Sequence, residues 1–223
     1  AGGGAAPAAA QESPGAQAVV PSRTLLPLPR GDAAKNEANF EPHPDGNRLA
    51  IDLLKQTINL NHGIYLEEDI RDGFRTDFCA GVAGYPEKHF ETPNLEIEMQ
   101  RLKDKVDAGA EYIMTQMFFD NSKFFAFVKQ CRDNGINVPI IPGLKPLTSK
   151  KQLSVIPRTF HVDIPTELSN EIMKAKTDDD CKKVGTEWLI QQSKELKEFG
   201  VPVLHYYTLG SPKVIYNVVK EVL

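Results

Sequence analysis

The side chains best suited to chemistry in this chain follow short apolar runs. Gln116 stands in Tyr112-Ile113-Met114-Thr115-Gln116-Met117-Phe118-Phe119-Asp120. That stretch is apolar enough for a buried strand, and the glutamine amide offers it both a donor and an acceptor. Arg30-Gly31-Asp32 follows the run Leu25 to Leu28, and Tyr85-Pro86-Glu87-Lys88-His89 follows Phe78 to Ala83. Gly143 to Lys145 and Tyr207-Thr208-Leu209-Gly210 follow two more runs, Val138 to Ile141 and Val203 to Tyr207. Glu98, Arg101 and Lys105 lie at i, i+3 and i+7, so a helix would present a carboxylate and two cations on one face. Singly each has an ordinary explanation: a turn for Arg-Gly-Asp, a surface position for His89, a strand cap for Gln116, a solvated face for Arg101.

What positions them is an alternation of apolar runs with helical patterns, the signature of repeated β-α units around a parallel sheet. Five strands are expected, none with strict polar alternation, as befits strands covered on both faces. The spacing predicts a helix over Asn94 to Ala108, with Leu95, Met99, Leu102 and Val106 as its buried stripe and Gly109 as its C-cap. Further helices are expected around Leu49, Leu53 and Leu54, over Asn121 to Asn134, across Val184, Trp188 and Ile190 with Asp178 to Asp180 as cap, and over Pro212 to Val222. In parallel barrels the working groups sit at the C-terminal ends of strands, where the polar residues above fall.

Composition sets limits on partners. A formal charge of -4 leaves no electrostatic footprint for nucleic acid or an anionic membrane. No run approaches the ~18 apolar residues a membrane span requires. Cys79, Cys131 and Cys181 are odd in number and widely spaced, which fits neither a disulfide framework nor a zinc site. A cytoplasmic protein without a metal is expected. Residues 1–24 hold eight Ala, four Gly and three Pro and are expected to form a disordered tail before a domain over 25–223.

Taken in order, the motifs resemble those of the methylenetetrahydrofolate reductases, in their bacterial-type catalytic domain. The family pattern of a strand ending in Arg-Gly-Asp stands here at Arg30 to Asp32, and its Tyr-Pro-Glu-x-His loop at Tyr85 to His89. Its Val-Asp-Ala-Gly-Ala leading to Ile-x-Thr-Gln-x-Phe-Phe stands at Val106 to Ala110 and Ile113 to Phe119. Pro142-Gly143 and Tyr207-Thr208-Leu209 complete five motifs in register from Leu28 onward.

The resemblance implies an α/β (β/α)8 TIM-barrel fold that holds FAD, uses NAD(P)H as reductant and reduces a folate substrate. About five of the eight β/α units are present, so the N-terminal third is expected to be lost or replaced. The open edges left by that gap suggest a homo-oligomer, or a non-catalytic half-barrel interaction module as an alternative. By this resemblance Asp32 and Gln116 are catalytic, with Asp32, Gln116 and Gln152 contacting the folate. Arg30, Gly31, Asp32, Ala50, Tyr85, His89, Glu98, Arg101, Lys105 and Tyr207 contact the cofactor.

There are departures from the family pattern. Pro27 and Pro29 interrupt the first strand, Leu49 stands where an aromatic residue is common, Arg101 where Asn or His is common, and Gly210-Ser211 replaces Asn-Arg. Relatives also carry a first-strand glutamate that protonates the folate. Glu12 is the only acid before Arg30, and no residue here is assigned that role.

Overall fold

The computed structural model describes residues 24–25, 43–44, 46–67, 69–70, 73–208 and 212–223. Five parallel strands lie side by side in chain order: β1 (Thr24–Leu25), β2 (Cys79–Gly84), β3 (Tyr112–Met117), β4 (Ile140–Leu144) and β5 (His205–Tyr206). Helices separate them: α1 (Ala50–Asn61), α2 (Leu95–Asp107), α3 (Asn121–Asp133), then α4 (Gln152–Phe160), α5 (Thr166–Lys174) and α6 (Asp178–Phe199), with α7 (Pro212–Val222) last. The chain is thus an α/β structure whose sheet is parallel throughout, with each strand hydrogen-bonded to the next in sequence. The expected first strand overlaps β1 at Leu25, and its remaining residues lie outside the described set, as do Arg30, Gly31 and Asp32.

Local chemistry accounts for the helix ends. The Asn94 side chain accepts from the Ile97 amide at 2.9 Å to start α2, and Gly109 leaves that helix at a φ of 111°, which favours glycine. The long helix α6 starts differently from the expectation. Thr177 is its cap, closing a reciprocal box with Asp180, while the three aspartates occupy the first turn, where the helix dipole favours negative charge. The α2 stripe also narrows: Met99 and Leu102 are buried and Val106 packs against the core, but Leu95 is exposed, as is Leu49 before α1.

The main core lies between the sheet and its helices. Ala80, Val82, Ile113, Ile140 and Leu144 from the strands meet Leu54, Leu102, Phe124, Phe127, Leu189 and Val218 from the helices. A second core, around Phe119, Leu147, Ile156, Ile172 and Cys181, joins α4 and α5 to the strand ends. Cys79, Tyr112 and Ile141 cluster with Met114 and with Val203 just before β5, and this group marks the other face of the sheet. That inner face is less covered than expected: β3 alternates between buried residues and the half-buried Met114 and Gln116.

The ladder between β3 and β4 is irregular beside Gln116. Met114 pairs with Ile141 and Met117 with Gly143, so β3 carries one extra residue, a β-bulge. Thr115 Oγ1 accepts from the Gly143 amide at 2.9 Å across it. Bulges of this kind re-aim a side chain at the end of a strand, and the residue involved is the expected catalytic amide.

Candidate active site

A cleft of about 450 Å³ opens where β2 ends, between the start of α1, the loop after β2 and one face of α2. Ala50, Tyr85, His89, Glu98, Arg101 and Lys105 all line it. These six are the described members of the expected cofactor set other than Tyr207. Three segments far apart in sequence deliver them: the first residue of α1, the loop 85–89, and the predicted i, i+3, i+7 face of α2.

The electrostatics of the cleft centre on Lys105. Its Nζ donates to the Ala83 carbonyl of β2 at 3.0 Å, which ties α2 to the strand it follows. Burial lowers its pKa, partly offset by the carboxylate of Glu98 and reinforced by the Arg101 guanidinium. Glu98 is itself buried and Lys105 half-buried, so this face sets a carboxylate within the cleft wall beside an ammonium at its edge. Arg101 remains exposed and donates from Nη1 to Thr92 Oγ1 at 3.2 Å, so its head is steered toward the cleft.

The loop beside this face is fixed at several points. Lys88 adopts a φ of 70°, its amide donates to the Tyr85 carbonyl at 3.0 Å, and its Nζ donates to the carbonyls of His89 and Thr92. Tyr85 and His89 meet edge to face at 4.6 Å between ring centroids. Two contacts bolt the loop to the segment after α4: Glu87 Oε2 accepts from the Asp163 amide at 2.7 Å, and Phe90 stacks on His161 at 4.2 Å. Burial pushes Glu87 above the usual carboxylate range, a shift that the hydrogen bond from the Asp163 amide opposes and the Asp163 carboxylate adds to.

Glu91, Thr92 and Asp104, which are outside the expected set, also line the cleft. Asp104 had a signal, since it follows Arg101 by three residues on the same helix. Glu91 and Thr92 sit in irregular chain, where no periodicity points to them.

The remaining expected residues lie elsewhere. Gln116 is half-buried near the end of β3, its Oε1 accepting from the Met117 amide at 2.9 Å. Tyr207 follows β5 and donates to the Thr115 carbonyl at 3.0 Å, so it joins Gln116 on neighbouring strand ends. Gln152 begins α4, and its Oε1 accepts from the Thr148 amide at 2.6 Å and from the Thr148 hydroxyl at 3.2 Å. None of the three lines the 450 Å³ cleft.

Comparison with known proteins decides the family. The model for methylenetetrahydrofolate reductase matches residues 22–222, nearly the whole chain. The chain belongs to the methylenetetrahydrofolate reductase family. Among its relatives, methylenetetrahydrofolate reductase 1 of Schizosaccharomyces pombe is 32% identical over 89% of this chain and 31% of its own length. A probable methylenetetrahydrofolate reductase (NADPH) of Caenorhabditis elegans is 35% identical over 68% of this chain and 23% of its own. Methylenetetrahydrofolate reductase (NADH) 1 of Arabidopsis thaliana is 34% identical over 82% of this chain and 31% of its own. The chain therefore spans under a third of the length of each of these reductases. Among the described residues no helix is long and apolar enough to cross a membrane.

Proposed function

We propose that this chain carries the FAD-holding part of a methylenetetrahydrofolate reductase. The reaction is reduction of 5,10-methylenetetrahydrofolate to 5-methyltetrahydrofolate with NAD(P)H, within one-carbon metabolism and methionine supply. The observation that carries this reading is the convergence of Ala50, Tyr85, His89, Glu98, Arg101 and Lys105 on one cleft. The chemistry of that donor set suits a dinucleotide. Lys105 and Arg101 provide cations for a diphosphate, Glu98, Glu91 and Asp104 provide acceptors for ribose hydroxyls, and Val82, Leu49 and Ile51 provide an apolar wall. Bound there, FAD supplies the hydride carrier between the reduced nicotinamide and the folate.

The protein's own share is binding and orientation. Gln116 presents an amide at the strand ends, where it serves the folate and the nicotinamide in turn. Tyr207 flanks it as a cofactor contact, and Gln152 opens α4 as a folate contact. Asp32, behind Arg30 and Gly31, brings a carboxylate that favours the cationic iminium form of the substrate. We read the five sequential β-α units as part of an eight-unit barrel. The compartment is cytoplasmic on this reading, with Cys79, Cys131 and Cys181 kept as thiols, all three buried.

Names of relatives carry both NADPH and NADH, so either coenzyme is tested. The purified chain is loaded with FAD without oxygen, treated with each coenzyme, and then given methylenetetrahydrofolate. Bleaching of the flavin band followed by its return with the folate is the expected result. A chain that retains no flavin overturns the reading. A second reading, a non-catalytic module that self-associates, is favoured by the exposed Ile64, Leu66, Ile70 and Phe74 between α1 and β2. Sedimentation of a single monomeric species across concentration excludes it.

A further inference from the structure

One buried cation at the strand ends has no role in the assignments above. Lys145 directly follows β4, is 5% exposed, and makes no hydrogen bond or ion pair among the described residues. Lysine is almost never fully buried unless paired, because removing an ammonium from water is costly. Burial pulls its pKa below the usual lysine value, and no acid among the described residues offsets it.

The register of the sheet places it. Ile140 and Leu144 pack into the helix-covered core, while Ile141 joins the inner-face cluster with Cys79 and Tyr112. Successive residues alternate faces along a strand. Gly143 and Lys145 therefore continue the inner face. A Cβ on Gly143 would stand 2.7 Å from the Tyr207 ring, which confirms that Tyr207 lies on that side. Met117 pairs with Gly143, and Leu144 with Tyr206. Lys145 therefore stands on the middle of three adjacent strand ends, level with Tyr207 on one side and a few residues beyond Gln116 on the other.

We propose that Lys145 is a ligand-binding residue of this site, its ammonium donating a hydrogen bond to a ring-conjugated amide carbonyl of the molecule held beside Gln116. The inference rests on the proposed reductase reading. It adds a contact absent from the residues that the family resemblance supplies. Two ligands of that reaction present such an oxygen, the pterin ring of the folate and the carboxamide of the nicotinamide. The Lys145 stem is buried while its ammonium has no protein partner among the described residues, which leaves the charged end free to meet a ligand.

The test uses the full chain, as wild type, Lys145→Met and Lys145→Gln. Methionine keeps much of the aliphatic stem and removes the charge, so its melting midpoint is expected to hold or rise, with unchanged far-UV circular dichroism. Titrations then follow FAD, 5-methyltetrahydrofolate and NADPH separately. Lys145→Met is expected to lose on the order of tenfold in affinity for folate or for NADPH, with FAD affinity unchanged. Lys145→Gln, a neutral donor, is expected to recover part of that loss. Loss confined to folate assigns the pterin carbonyl, loss confined to NADPH the carboxamide, and loss in both a shared contact. Unchanged affinity for both overturns the proposal, as does a fall in the melting midpoint accompanied by weaker FAD binding, which marks a structural lysine. If the wild-type chain retains no FAD, the reductase reading fails separately. The folate and NADPH titrations still decide Lys145: weaker binding in Lys145→Met supports the contact, and unchanged affinity overturns it.

Discussion

Lys105, in the last turn of α2, reaches back to β2 and donates from Nζ to the Ala83 carbonyl at 3.0 Å. The contact holds the helix against the strand it follows and leaves the ammonium at the cleft wall. Replacing Lys105 with Met removes both the tether and the charge. FAD affinity is expected to fall by on the order of tenfold, about 1.4 kcal/mol, in a fluorescence titration.

The same lysine sets a pH dependence. Because burial lowers its pKa, Lys105 gives up its proton at a lower pH than a solvated lysine does. Attraction for a diphosphate is therefore present below that pKa and declines as pH rises through it. FAD affinity should weaken on the alkaline side before ordinary lysines titrate. Lys105→Arg, always protonated, should flatten that decline. A titration series across alkaline pH for both proteins checks it.

Gly143 has no room for a side chain. An ideal Cβ there would lie 2.2 Å from the Thr115 carbonyl oxygen and 2.7 Å from the Tyr207 ring. Backbone cannot yield as the end of a flexible side chain does, so Gly143→Ala is expected to cost roughly 2–3 kcal/mol in urea unfolding. It should also disturb the bulge next to Gln116. Folate affinity is predicted to fall further than FAD affinity, since the α2 cleft lies outside that ladder.

Glu87 is strained in charge rather than in shape. Its Oε2 accepts from the Asp163 amide, whereas Oε1 is buried without a partner among the described residues. Its pKa is raised in the folded protein, so its favourable contribution is complete below the unfolded carboxylate pKa and is lost as pH rises through the folded one. Glu87→Gln keeps an acceptor and removes the charge. The variant should be more stable at neutral pH by about 0.5–1 kcal/mol, a figure discounted for partial solvation, and the gap should close in acid. Melting curves at neutral and acidic pH test both signs.

How much of this was legible in the sequence depends on where each residue sits. The α2 face of Glu98, Arg101 and Lys105 was readable because helical period puts spacing and direction in register, and Asn94 and Gly109 bound that helix by ordinary capping chemistry. The first-turn aspartates of α6 drew attention away from Thr177, whose side chain closes the box; local sequence alone gives both types capping potential. Helix α5, with Leu168 and Ile172 buried one turn apart, is too short to stand out against the helix beside it. The bulge at Thr115 leaves no mark in composition, since it arises from pairing with β4. Glu91 and Thr92 reach the cleft through a loop path that tertiary contacts fix, among them the Phe90 and His161 stack.

The thiols provide a check on the fold that is independent of ligand. Cys79, Cys131 and Cys181 are all buried, and burial pushes Cys131 up to about 12. Little Cys131 thiolate exists in the native protein at neutral pH, and reaction needs thiolate and access. Modification by a thiol reagent should be slow in buffer and reach three groups per chain only in denaturant. Rapid labelling of Cys131 in buffer would mean that the core around Phe124 and Phe127 opens readily.

FAD is expected to bind in the cleft between β2 and α2, and a direct titration tests it. FAD is added to the full wild-type chain and to Lys105→Met, with flavin fluorescence as the readout and circular dichroism as a control for folding. Saturable one-to-one binding by the wild type is expected, with affinity weaker by on the order of tenfold in the variant. Equal affinity in the two proteins, or no saturable binding by the wild-type chain, would contradict it.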